Sequence, residues 1–382
     1  MKDLSECRVL IVDDVRANID ILVEALRGDY KLSVALNGQQ AIDAVRRSPP
    51  DLVLLDIVMP DIDGYEICRQ LRAAEATREL PVMFLSSLED VKDKARGFEV
   101  GGNDYLTKPF EILEVQARVR SLLKAKSYAD AVKAAAERDL RIAREIQTGL
   151  LPANIPAQIQ GTGLDVHAVL EPAHHVGGDL FEVLRLAGER VLVAVGDVSG
   201  KGIPAALFMA VTMTILRSMA RQGHAPEEIL RQLNDELLVQ NPRGMFVTLQ
   251  VMVFDPPNRV VTCASAGHHA AVRLTPGQPP QLAFTSSGRV LGLLPAEDIG
   301  CETLPLEPGE TFVLFTDGVS EAFGPTGELF GEERLLAHLQ GSPGRTARET
   351  TLGVLDSVRR HAAGTRPSDD ITIVSVRHQG AG

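Results

Sequence analysis

The chain has 382 residues, of which 45% are apolar and 24% charged, and carries a formal net charge of −12. That length exceeds one ordinary domain and that composition excludes a disordered chain. The acidic balance offers no counter-charge to nucleic acid or an anionic membrane.

Cys7, Cys68, Cys263 and Cys301 lie far apart, with neither metal-ligand nor disulfide-framework spacing. The start of the chain lacks the basic-then-apolar order of a secretory leader, and no apolar run of about 18 residues is evident. The expectation is a soluble, cytoplasmic protein of two domains and a connector, with no nucleic-acid or membrane partner.

The first 125 residues alternate short apolar runs with amphipathic stretches, the pattern of a parallel sheet wrapped by helices. Strands are expected at 8–12, 32–35, 52–55, 82–85 and 105–106. In such a doubly wound sheet, functional groups gather beyond the carboxyl ends of the strands. The first strand runs into Asp13 and Asp14 and the third into Asp56, so three carboxylates converge on one edge. Their mutual repulsion calls for a hard cation such as magnesium. Ser86 ends the fourth strand and Lys108 follows the fifth, adding a hydroxyl and an ammonium. A carboxylate, a metal, a lysine and a hydroxyl together suit an acyl-phosphate site.

Residues 7–124 resemble the receiver domain of bacterial two-component systems. The matching segments are Val12-Asp-Asp14, Asp56-Ile-Val-Met-Pro60 with Asp63-Gly64, Phe84-Leu-Ser86 and Asp104-Tyr-Leu-Thr-Lys-Pro-Phe110. The resemblance implies a flavodoxin-like five-stranded domain, taken as residues 1–124, with Asp56 as phosphoacceptor. It implies Asp13, Asp14, Asp56 and the Val58 carbonyl as Mg²⁺ ligands, Asp13 partly through water. Lys108 is then the phosphoryl contact, Ser86 and Tyr105 the switch pair, and a sensor histidine kinase the phosphodonor.

From Glu111 to about Leu151 the sequence is rich in Ala, Arg and Glu and reads as one helical connector; its linker part is taken as 125–155. Positions 122, 129, 136 and 143 with 125, 132, 139 and 146 form a seven-residue repeat, interrupted by Asp139. This weak, Ala-rich seam suits either a homodimer coiled coil or a helix that packs on its own chain.

The remainder, taken as a domain over 156–382, mixes strands expected at 191–196, 246–254, 260–266, 311–315 and 371–376 with helices at 204–221 and 225–238, a layered α/β sandwich of antiparallel type. Asp179, Asp197, Asp317, Asp369 and Asp370 each follow a strand or sit in a glycine turn, where backbone can approach a metal or phosphate closely. With no His or Cys at ligand spacing, the set favours Mg²⁺ or Mn²⁺ over zinc. Two metals sharing an aspartate would activate water for in-line phosphoester hydrolysis without a covalent intermediate.

Residues 140–376 resemble the sporulation and stress-response branch of the metal-dependent protein phosphatases, the protein phosphatase 2C superfamily. The carrying segments include Ala143-Arg-Glu-Ile-Gln147, Val176-Gly-Gly-Asp179, Gly196-Asp-Val-Ser-Gly-Lys-Gly-Ile-Pro-Ala-Ala206, Ala266-Gly-His268, Phe315-Thr-Asp-Gly318 and Asp369-Asp-Ile-Thr372. The resemblance implies an α-β-β-α sandwich in which Asp197 bridges two Mn²⁺ or Mg²⁺ ions. The Val198 carbonyl and Asp179 would serve one ion, Asp317 and Asp369 the other, with Asp370 the lesser of its pair. It also implies a phosphoserine or phosphothreonine substrate, an anti-sigma-factor antagonist in a partner-switching pathway, and a regulatory helix at residues 143–147. His174 stands where relatives often carry Arg; it is either a titratable phosphate contact or an ordinary loop residue. The reading is therefore a response regulator whose phosphorylation at Asp56 controls a protein phosphatase, in either direction. A receiver-controlled binding adaptor with vestigial chemistry is the second reading.

Overall fold

The computed structural model describes residues 3–87, 91–239, 241–285, 288–295, 299–342, 344–365 and 367–380, with 91–94 as backbone only. The chain divides into two compact units, Met1–Arg138 and Asp139–Gly382.

In the first unit β1 (Arg8–Val12), β2 (Lys31–Ala35), β3 (Leu52–Asp56), β4 (Val82–Ser86) and β5 (Asp104–Thr107) alternate with α1 (Arg16–Leu26), α2 (Gly38–Arg47), α3 (Gly64–Ala73) and α4 (Val91–Glu99). The sheet is parallel in the order β2-β1-β3-β4-β5. Every residue of β3 and β4 is buried, because helices cover both faces. The winding reverses between β1 and β3, so Asp13 and Asp56 flank the switch point where such sheets bind ligands. Gly64 fits there for want of a side chain: a Cβ would stand 2.3 Å from the Asp56 carbonyl oxygen.

α5 (Ile112–Leu150) is one continuous helix of 39 residues. Its buried residues, Val115, Val119, Leu123 and Ser127, recur every fourth position and form a stripe against the first unit. Of the expected seam, Leu122 and Ala143 are half-buried and the other six positions are exposed.

After the short α6 (Ile155–Ile159), the second unit stacks two antiparallel sheets. One has the order β13-β10-β9-β8-β7, from β7 (Leu180–Arg185), β8 (Val191–Val198), β9 (Val247–Asp255), β10 (Val260–Ala266) and β13 (Cys301–Pro305). The other has the order β12-β11-β14-β15-β6, from β6 (Leu164–Glu171), β11 (Ala271–Leu274), β12 (Gln281–Ala283), β14 (Thr311–Phe315) and β15 (Ile371–His378). Strand alternation builds the layers. In β9, Leu249, Val251 and Val253 face α7 (Ile203–Arg221) and α8 (Pro226–Val239), whereas Met252 and Phe254 join the core between the sheets. The outer face of the second sheet packs on α9 (Asp317–Ser320), α10 (Gly331–Leu339) and α11 (Ala347–Ala362). This is the α-β-β-α sandwich that the resemblance implied.

One expectation needs correction. α7 is long and apolar enough to cross a membrane by length and composition, a run the sequence reading passed over. Its Ala205, Phe208, Met209, Met213, Leu216 and Ala220 are instead buried in the core beneath the first sheet of this unit.

Candidate metal centres

In the first unit the β1 and β3 ends bring carboxylate oxygens of Asp13, Asp14 and Asp56 within 4.8 Å of one another. Asp13 and Asp56 are buried and Asp14 is exposed. Lys108 Nζ lies 2.8 Å from an oxygen of both Asp13 and Asp56. Asp13 also accepts from the Val15 N–H at 2.9 Å and from the Asn18 side chain at 3.0 and 3.1 Å. Burial pushes the Asp56 carboxyl above its ordinary range; Lys108 pulls it back, Asp13 adds repulsion, and the Val58 N–H bonds the carboxylate. Burial opposes the charge on Lys108, yet its bonds to Asp13 and Asp56 outweigh that and raise it. The Val58 side chain is exposed in the loop that follows.

Ser86 is buried at the end of β4. Tyr105 is buried too, its hydroxyl 3.0 Å from that of Tyr65 and its ring 5.7 Å from Phe84. Tyr65, which the sequence reading missed, gives the inward Tyr105 its partner, and Arg96 lies 4.6 Å over the Tyr65 ring. Gly97 leaves room for the arrangement, since a Cβ there would meet the Tyr105 ring at 2.6 Å.

In the second unit Asp179 precedes β7, Asp197 lies near the end of β8, Asp317 opens α9, and Asp369 and Asp370 precede β15. Asp179 is buried and accepts from the Thr316 hydroxyl at 2.7 Å and the Thr372 hydroxyl at 2.6 Å. Asp179 and Asp197 are close enough to act on each other. Burial and then Asp197 push the Asp179 carboxyl well up. Burial, followed by Asp317, Asp369 and Asp370, raises Asp197 to about 7. Burial, Asp369 and Glu321 raise Asp317. These carboxylates therefore feel one another across the mouths of both sheets.

Glycines let the backbone into this cluster. A Cβ at Gly178 would stand 2.5 Å from the Val198 carbonyl oxygen and 3.0 Å from Asp197 Oδ1. At Gly177 it would meet Asp370 Oδ2 at 1.7 Å, and at Gly318 the Asp370 carbonyl oxygen at 1.9 Å. The two members of the Asp pair differ. Asp370 is buried and accepts from the Ala173 N–H at 2.8 Å and the Gly178 N–H at 2.9 Å, so it staples the loop that leads to Asp179. Asp369 is more open and lies 3.0 Å from Lys201 Nζ. His174 and His175 are exposed, and among the described residues His174 bonds none of the aspartates.

Among the described residues, the aspartates of this unit do not draw together as tightly as Asp13, Asp14 and Asp56 do. Asp179 turns to two threonine hydroxyls and Asp369 to Lys201. The donor set nevertheless suits a hard divalent cation: it is oxygen only and crowded, and burial followed by mutual repulsion raises Asp179, Asp197 and Asp317. The Val198 carbonyl beside Gly178 and Asp197 adds a neutral oxygen of the same kind.

Three supports rest on contacts that the sequence does not display, although His268 and Gln147 lie in segments that carry the resemblance. His268, buried under the cluster, joins the two sheets: its Nδ1 lies 3.0 Å from the Thr248 hydroxyl and its Nε2 3.1 Å from the Phe315 carbonyl oxygen. Burial and then His269 lower it to about 3, so it is neutral, with Nε2–H donating. Gln147, in the last turn of α5, donates to the Gly177 carbonyl at 2.6 Å and accepts from the Gly177 N–H at 3.2 Å. The Arg217 guanidinium bonds both the buried Glu182 carboxylate and the Leu150 carbonyl at the end of α5.

Residues 187–379 match the family described as stage II sporulation protein E (SpoIIE), and residues 9–120 match the response regulator receiver domain. Response regulator PleD of Caulobacter vibrioides is 39% identical over 127 residues, 33% of this chain and 28% of PleD. The chain thus spans under a third of the length of that curated relative. Among solved structures, the SiaA-PP2C domain of Pseudomonas aeruginosa aligns with a TM-score of 0.58 at 24% identity, covering 65% of this chain and 98% of that one. The PP2C phosphatase domain with a regulatory-domain fragment of SpoIIE from Bacillus subtilis aligns with a TM-score of 0.51 at 18% identity, covering 56% of this chain and 63% of that one. At these identities the two structures speak for the fold of the second unit.

Proposed function

Because the chain belongs to the stage II sporulation protein E family and carries a response regulator receiver domain ahead of it, we propose that it is a metal-dependent protein serine/threonine phosphatase controlled by phosphorylation of Asp56. The observation that carries this reading is the crowding of Asp197 by Asp179, Asp317 and Asp369, with Gly178 set against Asp197 and the Val198 carbonyl.

In this reading Asp179, Asp197, Asp317, Asp369 and the Val198 carbonyl would hold two Mn²⁺ or Mg²⁺ ions. Such ions would supply a nucleophilic water and neutralise phosphate oxygens. The protein supplies the frame. Thr316 and Thr372 fix the Asp179 carboxylate by two hydroxyl bonds, and Asp370 fixes the backbone before it. His268 locks the strands beneath Asp197 and Asp317.

The substrate class is a phosphoserine or phosphothreonine protein, and we favour an anti-sigma-factor antagonist. A sensor histidine kinase would phosphorylate Asp56, with Mg²⁺ held by Asp13, Asp14, Asp56 and the Val58 carbonyl. The new phosphoryl oxygens would compete for Lys108, draw on Ser86 and repack Tyr105 away from Tyr65. α5 would carry the change to Gln147 and so to the Asp179 loop, with a homodimer seam along its exposed face as a second route.

The test is hydrolysis of p-nitrophenyl phosphate and of a phosphoserine protein by the full chain in Mn²⁺, with and without a beryllofluoride complex. Activity that disappears in Asp197→Ala and changes with beryllofluoride supports the reading. No Mn²⁺-dependent activity ends the phosphatase assignment, and equal rates with and without beryllofluoride end the coupling.

A further inference from the structure

The motif Gly196-Asp-Val-Ser-Gly-Lys-Gly202 contains a charged residue for which the metal cluster alone gives no use, Lys201 near its end. The loop is pinned at one end: the Ser199 N–H donates to the Phe246 carbonyl at 2.8 Å, and the Phe246 N–H donates to the Ser199 hydroxyl at 2.9 Å. Lys201 then stands between Gly200 (φ 88°) and Gly202 (φ 74°). A Cβ at either glycine would meet nothing within 4 Å, so these glycines serve the path of the backbone and not packing. That path brings the lysine to the segment that leads into β15. Its Nζ donates to the Ser368 carbonyl at 2.5 Å and lies 3.0 Å from Asp369 Oδ2. Asp369 in turn is one of the charges that raise Asp197 and Asp317, so the ammonium sits at the rim of the carboxylate cluster.

We propose that Lys201 is the residue that positions the phosphoryl group of the substrate, alternating between the Asp369 carboxylate and a phosphate oxygen. The inference rests on the phosphatase reading above and adds a residue to it. A carboxylate shared by an ammonium and a divalent cation is a point of competition. When a cation takes Asp369, the ammonium keeps the Ser368 carbonyl but loses its counter-charge. A phosphate monoester dianion arriving at the same cation offers that counter-charge again, and lysine binds phosphate as a compact point charge. The Lys201 side chain is half exposed, so this exchange needs no repacking.

Of the neighbouring basic groups, His269 faces Asp317 and stacks on Phe315. Arg359 lines a cavity of about 250 Å³ together with Asp369, but it is paired with Glu171. His174, at the position where an arginine was expected, is exposed. Among the described residues of this unit, Lys201 is thus a lysine whose partner is itself a candidate metal ligand.

The proposal makes two predictions of opposite sign for one substitution. In the full chain, Lys201→Gln removes a competitor for Asp369, so calorimetric titration of Mn²⁺ into metal-free protein should show tighter binding than wild type. The same substitution removes a phosphate contact, so inorganic phosphate should inhibit p-nitrophenyl phosphate hydrolysis about tenfold less strongly, the loss expected for one charge-assisted bond. KM should rise more than kcat falls, and Lys201→Arg should restore phosphate affinity. Unchanged phosphate inhibition in Lys201→Gln, or weakened Mn²⁺ binding, overturns the proposal. If wild type hydrolyses no phosphoester, the phosphatase reading fails by itself. Calorimetric binding of inorganic phosphate to Mn²⁺-loaded wild type and Lys201→Gln then decides the inference, equal affinities overturning it.

Discussion

Gln147 and Gly177 exchange hydrogen bonds in both directions, the side-chain amide donating at 2.6 Å and accepting at 3.2 Å. The pair ties the last turn of α5 to the backbone two residues before Asp179. Gln147→Ala leaves the Gly177 carbonyl and N–H without these partners, at a cost of about 1–3 kcal/mol. The expected outcome is a fall of about tenfold in kcat/KM for a small phosphoester, with a matching rise in the Mn²⁺ concentration needed for half-maximal rate. Gln147→Glu, which keeps the acceptor and loses the donor, should fall between the two.

The two aspartates before β15 should separate cleanly. Asp369→Asn is expected to weaken Mn²⁺ binding with little change in thermal stability, because its carboxylate is open and faces Lys201. Asp370→Asn removes a charged acceptor from the Ala173 and Gly178 N–H groups and should lower stability by about 1–2 kcal/mol. Paired measurements of melting temperature and Mn²⁺ affinity on both variants check this.

In the receiver domain, Lys108 separates two buried carboxylates. Lys108→Met leaves Asp13 and Asp56 facing each other without a cation. The metal-free domain should lose about 3 kcal/mol, since removing one partner strands the others. Mg²⁺ should then raise the melting temperature of the variant more than that of wild type, which thermal unfolding with and without Mg²⁺ will show.

His268 gives a pH dependence with a fixed sign. Its folded value of about 3 lies below the ordinary 6.5, so the folded state binds fewer protons there than the unfolded one. Its contribution is complete above pH 6.5 and is lost as pH falls from 6.5 toward 3, by roughly 1 kcal/mol per pH unit. Urea unfolding between pH 7 and pH 5 should be less steep in pH for His268→Gln than for wild type, although the variant is less stable at pH 7.

The receiver fold and its candidate site were legible because each candidate group ends an apolar run: Asp13 after β1, Asp56 at the end of β3, Ser86 at the end of β4. A fully buried parallel strand announces both itself and its carboxyl end. The second unit was less open to reading. β13 is largely exposed, with Cys301, Glu302 and Thr303 facing out, and β12 is three residues long, so neither carries the apolar signal of a core strand. The glycine-flanked aspartates were visible as a set. The resemblance ranked Asp370 below Asp369 as a ligand, but the contacts that distinguish the two were not visible, because adjacent residues of one type differ solely in what they touch. Tyr65 and Arg217 were not read, and Gln147 was read only as part of the regulatory helix, since each acts on a partner 30 or more positions away.

β15 pairs along its whole length with β6, so the last strand of the second unit lies beside its first, and Asp370 reaches back across 192 residues to the Gly178 N–H. A nascent chain therefore exposes Asp179 and Asp197 to the ribosome exit long before Thr372 and Asp369 exist to complete their surroundings. The candidate centre is assembled by the final segment of the sandwich to be made, so a chain whose synthesis stops short of that strand lacks the complete set of candidate ligands.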